Sequence, residues 1–267
     1  MLARSTLVVL AVSSAFAVPN PASAEAPKAK AAAQPTSVLG SVDASLLSFD
    51  DLQFAAAVKV YKGKKVISTL GYTAKYDGGG QVLIAFTTAG AIGTKVLIKS
   101  PTEMYRYDPE SKSVSPASSA IGPLIADLWG ESLGAKGRAA LGFVVEEMQL
   151  ARSLASTYSA TLAGTEGSST TLLLTPKEGV TAAYSRIELV IDSTKGGVTR
   201  ANYYDGAGNH IRTHLRSDWK KVGGTRVPTT LTTTHHRSGL KTVVKRRGLK
   251  VGQGLSNELF SKRSLLP

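Results

Sequence analysis

The chain has 267 residues, no cysteine, 26 glycines and 11 prolines, and 32 Lys plus Arg against 19 Asp plus Glu give a formal net charge of +13. The length accommodates one large domain or two small ones. The absence of cysteine excludes a disulfide, a thiolate metal site, a cysteine nucleophile, an iron–sulfur cluster and a lipid-bearing cysteine behind a signal peptide. A hydrophobic content of 42% is enough for a core and excludes a disordered chain.

Residues 1–24 read as a signal peptide. Arg4 is their one charge, an apolar run from Leu7 to Val12 follows, Pro19 and Pro21 break it, and Ala22-Ser23-Ala24 closes the segment as a small-x-small cleavage site after Ala24. The apolar run falls short of the roughly 20 residues that span a bilayer. Residues 25–37 are rich in Ala, Pro and Lys and read as a flexible leader. The remainder, 38–267, is expected to form a single domain of an exported protein.

Residues 38–49 carry a helical pattern. Strands follow at 53–61, 66–76, 81–87, 94–100 and 103–107, with Gly78-Gly79-Gly80 as a hairpin turn. Ile121, Leu124, Ile125, Leu128 and Trp129 stand at i, i+3, i+4, i+7 and i+8, the spacing of an amphipathic helix, with Pro123 near its start. A further helix is expected over 143–155. Strands resume at 157–163 and 169–175. Residues 186–192 then alternate, with Ile187, Leu189 and Ile191 on one face. The strand at 210–219 places Ile211, Thr213, Leu215 and Trp219 on one face and His210, Arg212, His214 and Arg216 on the other. Strands at 198–204, 225–236 and 241–251 complete a Gly-punctuated meander, in which Pro228 marks an edge position or a strand start. The expected fold is mainly β (α+β): a curved, unclosed antiparallel β-barrel of about eleven strands, with a few amphipathic helices covering its concave face.

The basic excess is local. Residues 209–267 hold 13 basic and 2 acidic side chains and all four histidines, whereas 25–208 hold 18 basic and 17 acidic. Such a distribution gives one positive face. Lys245, Arg246 and Arg247 form its densest cluster and are candidates for docking a membrane or partner. Export and the scarcity of aromatics nearby argue against nucleic acid and for anionic head groups.

Signals for catalysis and metals are weak. His210 and His214, on one strand, stand about 13 Å apart and cannot share a metal, and His235 and His236 point to opposite faces. No metal and no cofactor are expected. Ser217-Asp218-Trp219-Lys220 and Ser238-Gly239-Leu240-Lys241 match S-x-x-K, but that motif needs its serine to open a helix, and both stretches are strand ends or turns. No G-x-S-x-G, Walker loop, H-E-x-x-H or dinucleotide fingerprint occurs. The chain does not read as an enzyme.

An ordered series of short motifs runs through the second half: residues 184–192 (YSRIELVID), 201–205 (ANYYD), Gly208-Asn209, 219–224 (WKKVGG), Arg226-Val227-Pro228, Gly239-Leu240-Lys241-Thr242 and 255–265 (LSNELFSKRSL), with 104–109 (MYRYDP) in the first half. This series resembles the outer-membrane lipoprotein-sorting proteins, the LolA-like carriers of Gram-negative periplasms. Residues 115–150 depart most from that family, with Gly134-Ala135-Lys136-Gly137-Arg138 where its members carry acids. The resemblance implies a periplasmic protein with a hydrophobic cavity that shields the acyl chains of a lipoprotein or lipid in transit. It further implies an inner-membrane transporter and an outer-membrane acceptor as partners. Ile187, Leu189, Ile191, Ala201, Tyr203, Ile211, Leu215 and Leu231 are the candidate cavity wall, and Ile121, Ile125, Leu128 and Trp129 the candidate covering helix. The alternative is an interaction protein with a packed barrel that docks an anionic membrane surface or transporter through its basic face.

Overall fold

A computed structural model describes residues 39, 50–88, 91–100, 103–117 and 154–267. The signal and leader segments, most of the 38–49 helix, the expected helix at 121–129 and all but the last two residues of the one at 143–155 lie outside the described residues. Thirteen strands form one antiparallel sheet. They are β1 (Asp51–Lys62), β2 (Lys65–Asp77), β3 (Val82–Phe86), β4 (Lys95–Ile98), β5 (Met104–Asp108), β6 (Ser113–Ala117), β7 (Tyr158–Glu166), β8 (Ser169–Pro176), β9 (Arg186–Asp192), β10 (Gly197–Tyr204), β11 (His210–Val222), β12 (Thr225–His235) and β13 (Leu240–Val251). One turn of helix, α1 (Leu154–Thr157), precedes β7, and two 3-10 turns, Asn257–Phe260 and Lys262–Leu265, end the chain.

The strand order is β6-β5-β4-β3-β2-β1-β13-β12-β11-β10-β9-β8-β7. β1 lies mid-sheet, the following strands walk by hairpins to one edge, and β7 resumes at the other. The chain then walks back until β13 pairs with β1, Val58 opposite Val244. Among the described strands β6 and β7 have one partner each, so the sheet is curved and unclosed. The mainly β reading holds, with thirteen strands where about eleven were expected and twelve segments read as strands. The strand that the sequence concealed is β6. Its residues, Ser-Val-Ser-Pro-Ala, lack apolar alternation, and Pro116 is tolerated because β6 is an edge strand. Pro228 lies inside β12, yet β12 pairs with β13 only from Thr230 onward, so at Pro228 the strand has a neighbour on one side alone, Trp219 of β11.

Strand alternation divides the sheet into two faces. On one, Phe54, Ala56, Val58 and Val60 of β1, Leu70 and Tyr72 of β2, Ile84 and Phe86 of β3, Val96 and Ile98 of β4 and Met104 of β5 form a continuous apolar cluster that ends at Leu231 and Val244. On the same face beyond β11, Ala201 and Tyr203, Ile187 and Leu189, Leu172 and Leu174, Tyr158, Leu154 and Leu39 form a second cluster. The register makes these one surface, since Leu189 stands opposite both Leu172 and Ala201. On the opposite face, Leu83, Leu97 and Tyr107 receive Phe260 and Leu265 from the C-terminal turns. Lys95 Nζ fastens that tail by donating to the carbonyls of Ser264 at 3.3 Å and Leu266 at 3.0 Å.

The tail is also held at its root. Asp51, the first residue of β1, is buried, and its carboxylate accepts the backbone N–H groups of Gln253 at 2.8 Å and Leu255 at 3.0 Å. Gly252 and Gly254 adopt φ of 63° and 67°, which turns successive amides toward the carboxylate, as in other backbone anion cradles. Burial alone would raise the Asp51 pKa. The amides of residues 252–255 outweigh it and hold the group below the ordinary carboxylate value.

Candidate functional site

The two apolar clusters do not meet directly. Between them, on the central strands β11, β12 and β13, the buried face is polar and basic. The pairs Arg212–His235, His214–Thr233 and Arg216–Leu231 lie side by side across β11 and β12. Thr233 then faces Thr242 and Leu231 faces Val244 across β13, and Arg246 follows Val244 on that face. His214, Thr233 and Thr242 are wholly buried.

Each of these groups has a specific environment. His214 Nδ1 shares a hydrogen bond of 3.0 Å with Thr233 Oγ1. Arg212 Nη1 donates to Tyr184 Oη at 2.6 Å, and its Nε lies 3.4 Å from His235 Nδ1. The Tyr184 ring packs against Tyr203 at 4.5 Å between centroids. The Arg246 guanidinium lies 4.6 Å above the ring of Phe54, an arrangement that favours a desolvated cation. Burial, aided by Arg216 and Arg212, pushes His214 well below the ordinary imidazole pKa. Burial with Arg212 and His236 pushes His235 down to about 4. Burial also lowers Arg212 and Arg216 to about 10 and raises Tyr184 to about 12. At neutral pH the imidazoles and phenols are therefore uncharged and the guanidinium groups keep their charge. The guanidinium groups make the band basic.

The candidates named from sequence fall as follows. Ile187, Leu189, Ala201 and Tyr203 are buried in the second cluster, with Ile191 and Ile211 packed at its margin. Leu231 is wholly buried but belongs to the first cluster. Ile121, Ile125, Leu128 and Trp129 lie outside the described residues. Leu215 is a correction. It stands 41% exposed, on the face away from His214. Sharing of faces along β11 was legible, but its apolar side chains do not mark the buried side. Arg212, His214 and Arg216 occupy that side; the Tyr184 hydroxyl and the His235 ring accommodate Arg212, and the Thr233 hydroxyl accommodates His214.

The basic cluster needs the same correction. Strand alternation splits it, so that Arg246 is buried over Phe54 while Lys245 and Arg247 are exposed on the opposite face. There they join Lys59, across the β1–β13 seam, and Lys241. None of these four is in an ion pair among the described residues. Sequence reasoning missed the buried basic band. Its trace was the run His210, Arg212, His214, Arg216 at period two with no acid in it. No group of His, Asp or Glu among the described residues could hold a metal ion, and no helix among them is long and apolar enough to cross a membrane.

Together these features define an open, single-sheet β protein whose buried face is apolar at both ends and basic in the middle. The fold is LolA-like. A DUF1329 family protein from Desulfovibrio piger superposes with a TM-score of 0.65 at 22% identity, over 87% of this chain and 100% of that one. A LolA superfamily protein from Nitrosomonas europaea gives 0.63 at 18% identity, over 87% and 100%. An outer membrane lipoprotein-sorting protein domain from Vibrio parahaemolyticus gives 0.65 at 18%, over 85% and 97%. A family model described as "Uncharacterized protein" matches residues 137–266. No curated protein matches the chain.

Proposed function

We propose that the chain is a periplasmic carrier that shields the acyl chains of a lipoprotein or lipid between the inner and outer membranes and hands them on unchanged, without catalysis. The observation that supports this most is the long apolar face of an unclosed sheet, in a fold shared with a lipoprotein-sorting domain. Each CH₂ buried on such a face contributes about 0.8 kcal/mol. Affinity is the difference between ligand contacts and the self-contacts they replace, so release stays accessible. On this reading the signal peptide is removed after Ala24, and the partners are an inner-membrane donor and an outer-membrane acceptor. The test is native mass spectrometry of residues 25–267 purified from a periplasm without detergent. Bound mass that extracts into organic solvent as an acylated species is the expected result. A clean apo mass that takes up neither phospholipid nor acylated peptide overturns the reading.

A second reading has its own observation. Lys59, Lys241, Lys245 and Arg247 lie on the face away from the apolar clusters, without ion pairs among the described residues. That surface would dock an anionic membrane or a transporter. Each basic side chain near an anionic leaflet contributes about 1 kcal/mol. Lys245→Gln with Arg247→Gln then weakens co-sedimentation with phosphatidylglycerol vesicles about 30-fold. Wild-type binding should itself fall with added salt. Unchanged sedimentation of the double variant removes this reading.

A further inference from the structure

We propose that Arg216, on the buried face of β11, is an anion site that holds the negatively charged group of an acyl ligand, a carboxylate or a phosphate, while the chain lies along the apolar wall beside it. The proposal rests on the carrier reading above and adds to it the chemistry of the cargo.

Arg216 carries the argument. It lies on β11 on the same face as wholly buried His214 and stands opposite wholly buried Leu231. Its Nε is shielded from solvent and has no hydrogen-bond partner. Its side chain enters no hydrogen bond and no ion pair among the described residues. The phenol of Tyr203, raised by its own burial, is uncharged at neutral pH and supplies no counter-charge. A guanidinium is a donor-only group with five N–H bonds in a planar fork that matches a carboxylate or phosphate. Arg216 is half-buried, and an Nε–H that is shielded from water without an acceptor is costly. An anion arriving at this point would supply the missing acceptors.

The surroundings indicate what the anion is attached to. Next to β11, Ala201 and Tyr203 of β10 begin the second apolar cluster, which continues through Leu189 of β9 to Leu172 of β8. Three strand spacings give about 14 Å of apolar wall leading away from Arg216. An inorganic anion would leave that wall unused and a neutral lipid would leave the guanidinium unpaired. An anionic amphiphile satisfies both.

The experiment is calorimetric titration of the mature chain with laurate, dodecyl phosphate and neutral monolaurin, each below its micellar concentration. Wild type is expected to bind at least one of the anionic probes tenfold or more tightly than monolaurin, and which of the two it prefers identifies the source as carboxylate or phosphate. Arg216→Met is expected to erase that preference while monolaurin binding is unchanged, and Arg216→Lys to retain part of it. Should Arg216→Met not fold by circular dichroism, Arg216→Gln replaces it. Equal wild-type affinity for all three probes, or a preference that survives the loss of the Arg216 charge, overturns the anion site and leaves the carrier reading standing. Failure of every probe to bind overturns both.

Discussion

Asp51 offers the most direct test of how the sheet and its C-terminal tail are joined. Asp51→Ala removes two charge-assisted hydrogen bonds, to the amides of Gln253 and Leu255, and leaves those donors without their acceptor. Bonds of this kind contribute about 1.5–3 kcal/mol each. With partial rescue by water, the expected loss is about 3–4 kcal/mol, or about 6–16 °C in Tm for a chain of this size. Asp51→Asn keeps one acceptor oxygen and should lose about half as much. The pH dependence has a definite sign. The folded pKa of Asp51 lies below the unfolded value of 3.8. Its stabilisation is therefore fully present above the unfolded pKa and is lost as pH falls through the folded one. Urea unfolding followed from pH 7 to below pH 3 should show the difference between wild type and Asp51→Asn shrinking in the acid range. A loss under 0.5 kcal/mol for Asp51→Ala, or a wild-type–Asn difference that does not vary with pH, refutes the reasoning.

Three further outcomes follow from packing. Phe260→Ala strips the largest side chain that the tail buries against Leu83 and Leu97, and should cost about 3–5 kcal/mol in urea unfolding, with faster proteolysis confined to residues after Val251. Leu189→Ala, at a wholly buried position between Leu172 and Ala201, should cost about 2–5 kcal/mol. The same variant should weaken binding of an acyl probe if the second cluster is also ligand wall, which calorimetry at a temperature where it is folded will read. Gly71→Ala would place its Cβ 2.8 Å from Thr87 Oγ1 and 3.0 Å from Thr88 Cγ2, in the place where Thr88 Oγ1 accepts the Gly71 amide. A loss of about 1–3 kcal/mol is expected, and an unchanged midpoint would mean that the Thr87–Thr88 segment gives way freely.

Much of the architecture was legible in the chain before any coordinates. Period-two alternation in residues 186–192, Gly-rich turns at short spacing and the absence of βαβ patterns sufficed for an antiparallel meander, because each of these signals is local. The position of the two edges and the pairing of β13 with β1 were not local, and only the tertiary structure decided them. β6 escaped notice because an edge strand needs no apolar alternation to be held by one neighbour. The sense of burial on β11 was decided in the same way. Alternation assigns residues to two faces but does not say which face is inward, and apolar Leu215 was the wrong guide. His214 can be inward because Thr233 stands opposite it, and Arg212 because Tyr184 and His235 reach it, contacts that tie β11 to its hairpin partner β12 and to the segment before β9. The Lys245-Arg246-Arg247 run makes the same point in three residues. The sequence shows a cluster of charge. A pleated strand sends the middle one to the buried face over Phe54 and the outer two to the opposite face, so one motif serves two surfaces.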